Sequence, residues 1–141
     1  MSQPSDCSSD LTTLSFEVMP PRKESLVKPF WQTIERLLSV SPDFLSVTYG
    51  AAGQDRHSAR GVVRKLVKDS PVQPIAHLTC VGTTPSEVSE VVTDYLNAGV
   101  RTFLALRGDP PGGRPDWQPS PGGVSSATEL VTLIRSIEAA R

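Results

Sequence analysis

The chain has 141 residues, with 14 Lys and Arg against 15 Asp and Glu and a formal net charge of -1. This length is enough for one domain with its own core. The balance of positive and negative residues argues against the concentrated basic face of a nucleic-acid or membrane-surface binder. No segment is long and apolar enough to span a bilayer. The two cysteines, Cys7 and Cys80, lie in unlike contexts and no secretory leader pattern is present, so we expect a reducing cytoplasm and no disulfide.

Residues 1–11 are rich in Ser, Asp, Gln and Pro and offer almost nothing to bury. We therefore expect a disordered tail over 1–11 and one folded unit over 12–141. Within that unit, short β-prone runs alternate with segments of helical periodicity. The predicted strands are Thr12–Val18, Phe44–Tyr49, Pro74–Thr79 and Thr102–Leu106.

The helical segments are recognised by apolar residues that recur on one face. They are Phe30, Ile34, Leu37 and Leu38 in the first, Ala59, Val62, Val63, Leu66 and Val67 in the second, Val88, Val91, Val92, Tyr95 and Leu96 in the third, and Leu130, Leu133, Ile134 and Ile137 in the fourth. Gly61 weakens the second of them.

The third and fourth helices begin with capping signals. Thr84-Pro85-Ser86-Glu87 combines a capping threonine, a proline at the first helical position and a glutamate three residues after the cap. Ser126-Ala127-Thr128-Glu129 predicts a second capping box. Gly99 is placed to end the third helix.

A strand–helix unit repeated four times predicts parallel strands joined by right-handed crossovers. Both an open doubly wound sheet and part of a (β/α)8 barrel fit this pattern. Neither a G-x-G-x-x-G nor a P-loop motif is present, and the first strand leads instead into the stiff turn Met19-Pro20-Pro21-Arg22. We therefore favour the α/β barrel. Since a complete barrel takes about 250 residues, the chain accounts for about half of one, four βα units.

Each predicted strand ends in polar residues, as active-site rims of parallel α/β folds do. Glu17 follows Phe16 among apolar neighbours, and desolvation there would raise the pKa of its carboxyl and suit it to general acid catalysis. A solvated strand-edge glutamate, or a partner for Arg22, is the structural alternative. For His77 the alternative is a hydrogen-bonded core residue.

The residues at the other strand ends could likewise have purely structural roles. Thr48 and Tyr49 are ordinary strand residues as well as potential ligand contacts. Arg107 and Asp109 could pair with each other across the turn. The Pro110–Gly123 loop, which carries Trp117, would either cover the site or serve as a disordered connector.

Four motifs in order nevertheless resemble the N-terminal half of the methylenetetrahydrofolate reductase family, flavoproteins built on a (β/α)8 barrel. They are Ser15-Phe16-Glu17-Val18-Met19-Pro20-Pro21-Arg22, Val47-Thr48-Tyr49-Gly50-Ala51, His77-Leu78-Thr79-Cys80 and Leu104-Ala105-Leu106-Arg107-Gly108-Asp109. The resemblance runs from about Leu14 to Ile137 and implies reduction of 5,10-methylenetetrahydrofolate to 5-methyltetrahydrofolate, in one-carbon and methionine metabolism. FAD would be the cofactor, and NADH or NADPH the reductant.

The resemblance also implies roles for single residues. Glu17 matches the general acid that helps to open the folate ring to an iminium. Asp109 matches an aspartate beside both flavin and folate, and Thr48 matches a position near the nicotinamide. The remaining cofactor contacts that it implies are Tyr49, Ala51, His77, Arg107, Gly108 and Ala127.

The chain departs from the family at two points. Val18-Met19 follows Glu17 where aromatic residues are common, and the second half of the barrel, with its flavin and pterin contacts, is missing. A truncated, non-catalytic half-barrel that binds folate or a protein partner is therefore the alternative function, and retention of folate binding with loss of tight flavin binding is a third. We expect a homo-oligomer or association with a complementing half-barrel, because the edges and the inward faces of Phe16, Val47 and Leu104 lack an opposing wall.

Overall fold

The computed structural model describes residues 12–50 and 56–141. Four strands and four α-helices alternate along these residues: β1 Ser15–Val18, α1 Val27–Leu38, β2 Phe44–Val47, α2 Arg56–Asp69, β3 Pro74–Thr79, α3 Pro85–Ala98, β4 Thr102–Leu106 and α4 Ala127–Ala139. Short 3-10 helices at Glu24–Leu26 and Pro111–Gly113 lie in the loops after β1 and β4. None of the described helices has the length and apolar character to cross a membrane. The predicted tail over 1–11 lies outside the described residues.

The strands form one parallel sheet in the order β1-β2-β3-β4. Sequential order with all strands parallel requires each helix to cross over the same face of the sheet, as in a (β/α)8 barrel and unlike a doubly wound sheet. The prediction of four βα units from the N-terminal half of such a barrel is confirmed. The predicted bounds hold for β3 and β4, whereas β1 and β2 are shorter than predicted.

The two faces of the sheet have opposite characters. The face toward the helices forms the core with α1 to α4, and Leu45, Val47, Ala76 and Leu78 on it are almost fully buried. The other face, which corresponds to a barrel interior, is open: Leu104 and Leu106 remain 43% and 38% exposed. Alternation along each strand therefore separates a completed core from an uncovered surface.

One expectation about this open face is wrong for two residues. Val47 is 1% exposed and Phe16 packs against the same core, so both point toward the helices and already have an opposing wall. Leu104 does lie on the open face. A one-residue change of position along a strand moves a side chain to the other face, so apolar residues on different strands do not necessarily share a face.

The predicted capping box forms completely at α3 and in part at α4. Thr84 Oγ1 accepts from Glu87 N at 3.2 Å, and Glu87 Oε2 accepts from Thr84 N at 2.7 Å, which completes the predicted capping box. Gly99, with φ 103°, ends α3 as predicted. At α4, Ser126 caps Glu129 N, but the Glu129 carboxylate accepts from Ser125 N instead of the capping residue, so the second capping box forms only in part.

Replacing Thr84 by Ala should lower the free energy of unfolding by about 1 kcal/mol, because the first turn of α3 loses its side-chain acceptor. Urea unfolding should show a lower midpoint with an unchanged slope. Thr93→Ala, at an exposed position inside α3, is the matched control and should change stability little. Equal losses in the two variants would contradict the role of the cap.

Candidate active-site cleft

Backbone pairing continues beyond the strands at the carboxyl edge of the sheet. Thr48 N donates to Val18 O at 3.0 Å, Cys80 N to Leu106 O at 3.2 Å, and Val81 N to Arg107 O at 2.8 Å. The segments that follow β2, β3 and β4 are thereby fixed relative to one another. Polar residues that are far apart in the sequence meet at this edge for that reason.

A cleft of about 390 Å3 opens between the ends of β2, β3 and β4. Six of the predicted site residues line it: Thr48, Tyr49, His77, Arg107, Gly108 and Asp109. The other lining residues are Gly50, Thr79, Val81 and Leu106. The structure therefore brings together the strand-end groups that the sequence identified one by one.

Glu17 lies on the open face of β1 and is exposed. It lines a neighbouring cavity of about 690 Å3 together with Met19 and residues of α1. The apolar residues Met19, Leu26 and Phe30 line the same cavity, but the Glu17 side chain is exposed, and its sequence neighbours Phe16 and Val18 point to the helix-covered face. The predicted desolvation of the carboxyl is therefore wrong for the described residues, and the solvated alternative describes the observed position.

His77 lies on the same face of the sheet as Glu17 but is only 7% exposed. Its Nε2 atom is buried and has no hydrogen-bond partner in the described parts of the chain, so the predicted alternative of a hydrogen-bonded core histidine does not hold for that atom. Burial lowers the pKa of His77, and the negative charge of Glu17 opposes that shift. The two side chains are thus electrostatically coupled across β2.

Tyr49 is buried at the wall of the cleft, beneath the guanidinium of Arg56. The Arg56 Cζ atom lies 5.5 Å from the ring centroid, and Arg56 Nη2 donates to Val81 O at 3.3 Å. Burial raises the pKa of the Tyr49 phenol, and the positive charge of Arg56 partly counters this. No sequence pattern pointed to Arg56; its position at the first residue of the helix after β2 was the available signal.

Gly108 is required by the shape of the cleft. Its φ is 85°, and a Cβ atom there would lie 2.6 Å from Val81 Cγ1 and 3.1 Å from Thr79 Cβ. Both the left-handed backbone and the contact with the end of β3 exclude a side chain. The close approach of the two strand ends therefore depends on this glycine.

Arg107 and Asp109 flank Gly108 and are both exposed. Arg107 Nε donates to Gly108 O at 3.4 Å. The predicted pairing of Arg107 with Asp109 is not among the ion pairs of the described residues, where Arg114 is the cation near Asp116 in this loop. Both charges thus face the cleft instead of neutralising each other.

Two predicted cofactor contacts remain, Ala127 and Ala51. Ala127 is the first residue of α4, whose start is held near the cleft because the Cys80 thiol contacts Arg107 O and Ser126 O, at 3.5 and 3.7 Å. Ala51 lies outside the described residues. The cleft's lining extends into the loop after β4 only as far as Asp109, so residues 110–123 do not cover it in this structure.

The match to known proteins covers almost the whole chain. A family model described as methylenetetrahydrofolate reductase matches residues 4–140. The chain belongs to the methylenetetrahydrofolate reductase family. The predicted resemblance is therefore confirmed.

Its bacterial and plant relatives are considerably longer. The 5,10-methylenetetrahydrofolate reductase of Escherichia coli K12 is 37% identical over 126 residues, which is 88% of this chain and 40% of that protein. The enzyme of the same name from Buchnera aphidicola of Acyrthosiphon pisum is 40% identical over 95 residues, 67% of this chain and 32% of the relative. Methylenetetrahydrofolate reductase (NADH) 1 of Arabidopsis thaliana is 32% identical over 125 residues, 89% of this chain and 21% of the plant protein.

Replacing Gly108 by Ala should disturb the cleft and lower the free energy of unfolding of this chain by about 1–3 kcal/mol, because the new side chain strains the backbone and collides with Val81. Gly112→Ala is the control, since Gly112 also has positive φ, 66°, but its nearest obstacle is Arg114 Cγ at 3.9 Å. Urea unfolding of both variants separates the steric cost from the backbone cost. A loss in Gly108→Ala no greater than in the control would contradict the close packing of the strand ends.

The pKa of His77, measured by NMR titration of a His57→Gln background with one histidine, should lie below 6.5. A lowered folded-state pKa means that stability is reduced as pH falls from the unfolded value toward the folded one. Adding Glu17→Gln should lower the His77 pKa further, because the charge that raises it is removed. Glu35→Gln on α1 is the matched control, and an equal effect of both glutamine variants would refute the coupling.

Proposed function

We propose that this chain supplies the first four βα units of a methylenetetrahydrofolate reductase barrel and half of its active site. The reaction would be the flavin-dependent reduction of 5,10-methylenetetrahydrofolate to 5-methyltetrahydrofolate with NADH or NADPH. One observation carries the proposal: six of the residues that resemble the family's functional positions line one cleft at the carboxyl edge of the sheet, and Glu17 lines a neighbouring cavity. Family membership supports the same reaction class.

The residues of the cleft fit part of a flavin site. The buried Nε2 of His77 requires a hydrogen-bond partner that the described chain does not supply. Thr48 adds a hydroxyl group, and Arg107 adds an exposed cation at the rim. Bound FAD would supply the hydride to the folate. His77 and Arg107, with Tyr49 and the backbone around Gly108, would hold it without a glycine-rich loop, and Thr48 would lie near the nicotinamide.

Glu17 would act as the acid of this site. Its exposed position on the open face of β1 and its electrostatic effect on the pKa of His77, which lines the cleft, support this role. Its proton would pass to a folate nitrogen, so that the ring carbon becomes an iminium able to accept hydride. The low-dielectric surroundings that favour a protonated carboxyl would come from the bound ligands and the opposing half of the barrel.

Asp109 would orient the folate from the β4 end of the cleft. Its carboxylate is exposed and is not paired with Arg107, so it remains available to accept hydrogen bonds from a pterin ring. The same negative charge would disfavour an anionic reduced flavin and so lower the flavin potential. Arg107, on the other side of Gly108, would bind flavin.

A second function is favoured by the open face. Leu104 and Leu106 are 43% and 38% exposed, and such apolar surface is typical of a protein interface. A non-catalytic half-barrel that binds folate or a protein partner would keep this face without requiring Glu17. Catalytic dependence on Glu17 therefore distinguishes the two functions.

The test is a chimera in which this chain replaces the matching 126-residue segment of the Escherichia coli relative. We expect the chimera to bind FAD and to reduce methylenetetrahydrofolate. Glu17→Gln should lower the folate-reducing rate by about 10²-fold or more, since proton transfer by a positioned acid contributes on that order. Reduction of the flavin by nicotinamide should stay close to the parent rate.

Glu35→Gln, which alters an exposed glutamate on α1, is the matched control in the same chimera. It should leave both half-reactions unchanged. Folate reduction at the parent rate in Glu17→Gln would remove Glu17 from the mechanism. A folded chimera that binds folate but in which neither the flavin nor the folate is reduced would favour the non-catalytic module.

A further inference from the structure

The side chain of Arg56 connects the ends of two neighbouring strands. Its guanidinium lies over the ring of Tyr49, which follows β2, with 5.5 Å between Cζ and the ring centroid. Its Nη2 atom donates to Val81 O at 3.3 Å, in the segment that follows β3. A guanidinium can do both because it is planar and carries several donors at its edge. One side chain of α2 therefore contacts both segments.

The position of Arg56 within α2 indicates a tertiary role. It is the first residue of the helix, where the partial positive charge of the helix end disfavours a cation. By contrast, α3 and α4 carry Glu87 and Glu129 in their first turns. The Nε atom of Arg56 is also buried without a hydrogen-bond partner in the described ranges, so this donor is withdrawn from water. The contacts with Tyr49 and Val81 offset these costs.

Tyr49 separates the cleft from a second, larger cavity. It lines the cleft of about 390 Å3 and also a cavity of about 710 Å3 beside the first turns of α2 and α3. Arg56 lines the second cavity but not the cleft. The second cavity offers space for the Tyr49 ring, and the guanidinium over the ring blocks movement in that direction. The position of this wall of the cleft therefore depends on Arg56.

The contact of Arg56 with Val81 acts on the wall formed by the ends of β3 and β4. Val81 N donates to Arg107 O at 2.8 Å. Val81 Cγ1 is the atom that a Cβ at Gly108 would approach to 2.6 Å. A shift of the Val81 segment would therefore also move the backbone between Arg107 and Gly108.

We propose that Arg56 is a positioning residue of the cleft, which holds Tyr49 and the Val81 segment at the separation that a bound ligand requires. Since Arg56 does not line the cleft, it acts on the ligand only through these two neighbours. The identity of the ligand as FAD rests on the proposed function. The positioning of the two strand ends does not.

The first measurement is amide hydrogen exchange of the whole chain without ligand. The Val100 amide, which donates to Tyr95 O at 2.9 Å, belongs to no part of the cleft lining and serves as the internal reference. Arg56→Met keeps an unbranched side chain but removes the charge and the donors. It should raise the ratio of the Val81 rate to the Val100 rate by about tenfold or more, because the Val81 segment opens locally.

Two further variants separate the charge and the donor from other effects. Arg56→Lys restores a charge and a donor without the planar fork, so its exchange ratio should lie between those of the parent and Arg56→Met. Arg64→Met is the matched control. Arg64 lies on the same helix and pairs with Asp94, but it lines neither cavity, so its loss should leave the ratio unchanged.

The second measurement is titration of the same variants with FAD, followed by flavin fluorescence. Arg56→Met should raise the Kd for FAD by about tenfold, since the ring and the Val81 segment lose a shared cationic contact. Arg56→Lys should raise it less, and Arg64→Met should bind like the parent. Failure of the parent to bind FAD would contradict the proposed flavin site, and the exchange ratio, measured without flavin, would then decide this inference alone.

The proposal is overturned by an unchanged exchange ratio in Arg56→Met, by an equal rise in Arg64→Met, or by a Lys variant no better than the Met variant. FAD binding by Arg56→Met at the parent's affinity would overturn it as well. Circular dichroism checks the fold of each variant, and Arg56→Gln replaces Arg56→Met if the latter does not fold.

Discussion

The site depends on parallel pairing that continues past the ends of β3 and β4. The hydrogen bonds from Cys80 N to Leu106 O and from Val81 N to Arg107 O hold the first residues of the two loops side by side. These paired residues form one wall of the cleft. It is sterically permitted because Gly108 carries no Cβ against Val81. A single backbone position therefore determines whether the charges of Arg107 and Asp109 stand at the cleft.

The elements that the sequence predicted best are those specified by local interactions. The limits of α3 depend on a cap between Thr84 and Glu87 and on the left-handed Gly99, all within the helix or next to it. β3 and β4 were predicted to the residue because apolar runs are interrupted there by polar strand ends. β1 is shorter than predicted because its pairing with β2 begins only at Ser15.

The properties that were predicted least well are set by distant parts of the chain. The surroundings of Glu17 depend on which face of β1 the carboxyl occupies and on what lies opposite, and its sequence neighbours point away from it. The contact of Arg56 with Tyr49 joins α2 to the end of β2 and has no periodic signature. The clustering of His77 with Arg107 and Asp109, by contrast, followed from strand ends alone, because parallel strands present their carboxyl ends at one edge.

Folding and function rest on different faces of the same sheet. The helix-covered face is complete within the described residues, with Leu45 and Ala76 fully excluded from solvent, so the driving force for folding is present in this half. The open face carries Glu17 and His77 but supplies no opposing apolar wall. The packing of this half therefore depends on its helix-covered face, whereas its chemistry depends on whatever covers the open face. Substitutions at buried positions of the helix-covered face, such as Leu45, should act through stability, whereas substitutions of exposed residues on the open face, such as Glu17 and Leu104, should act through binding, because the latter face solvent in this structure.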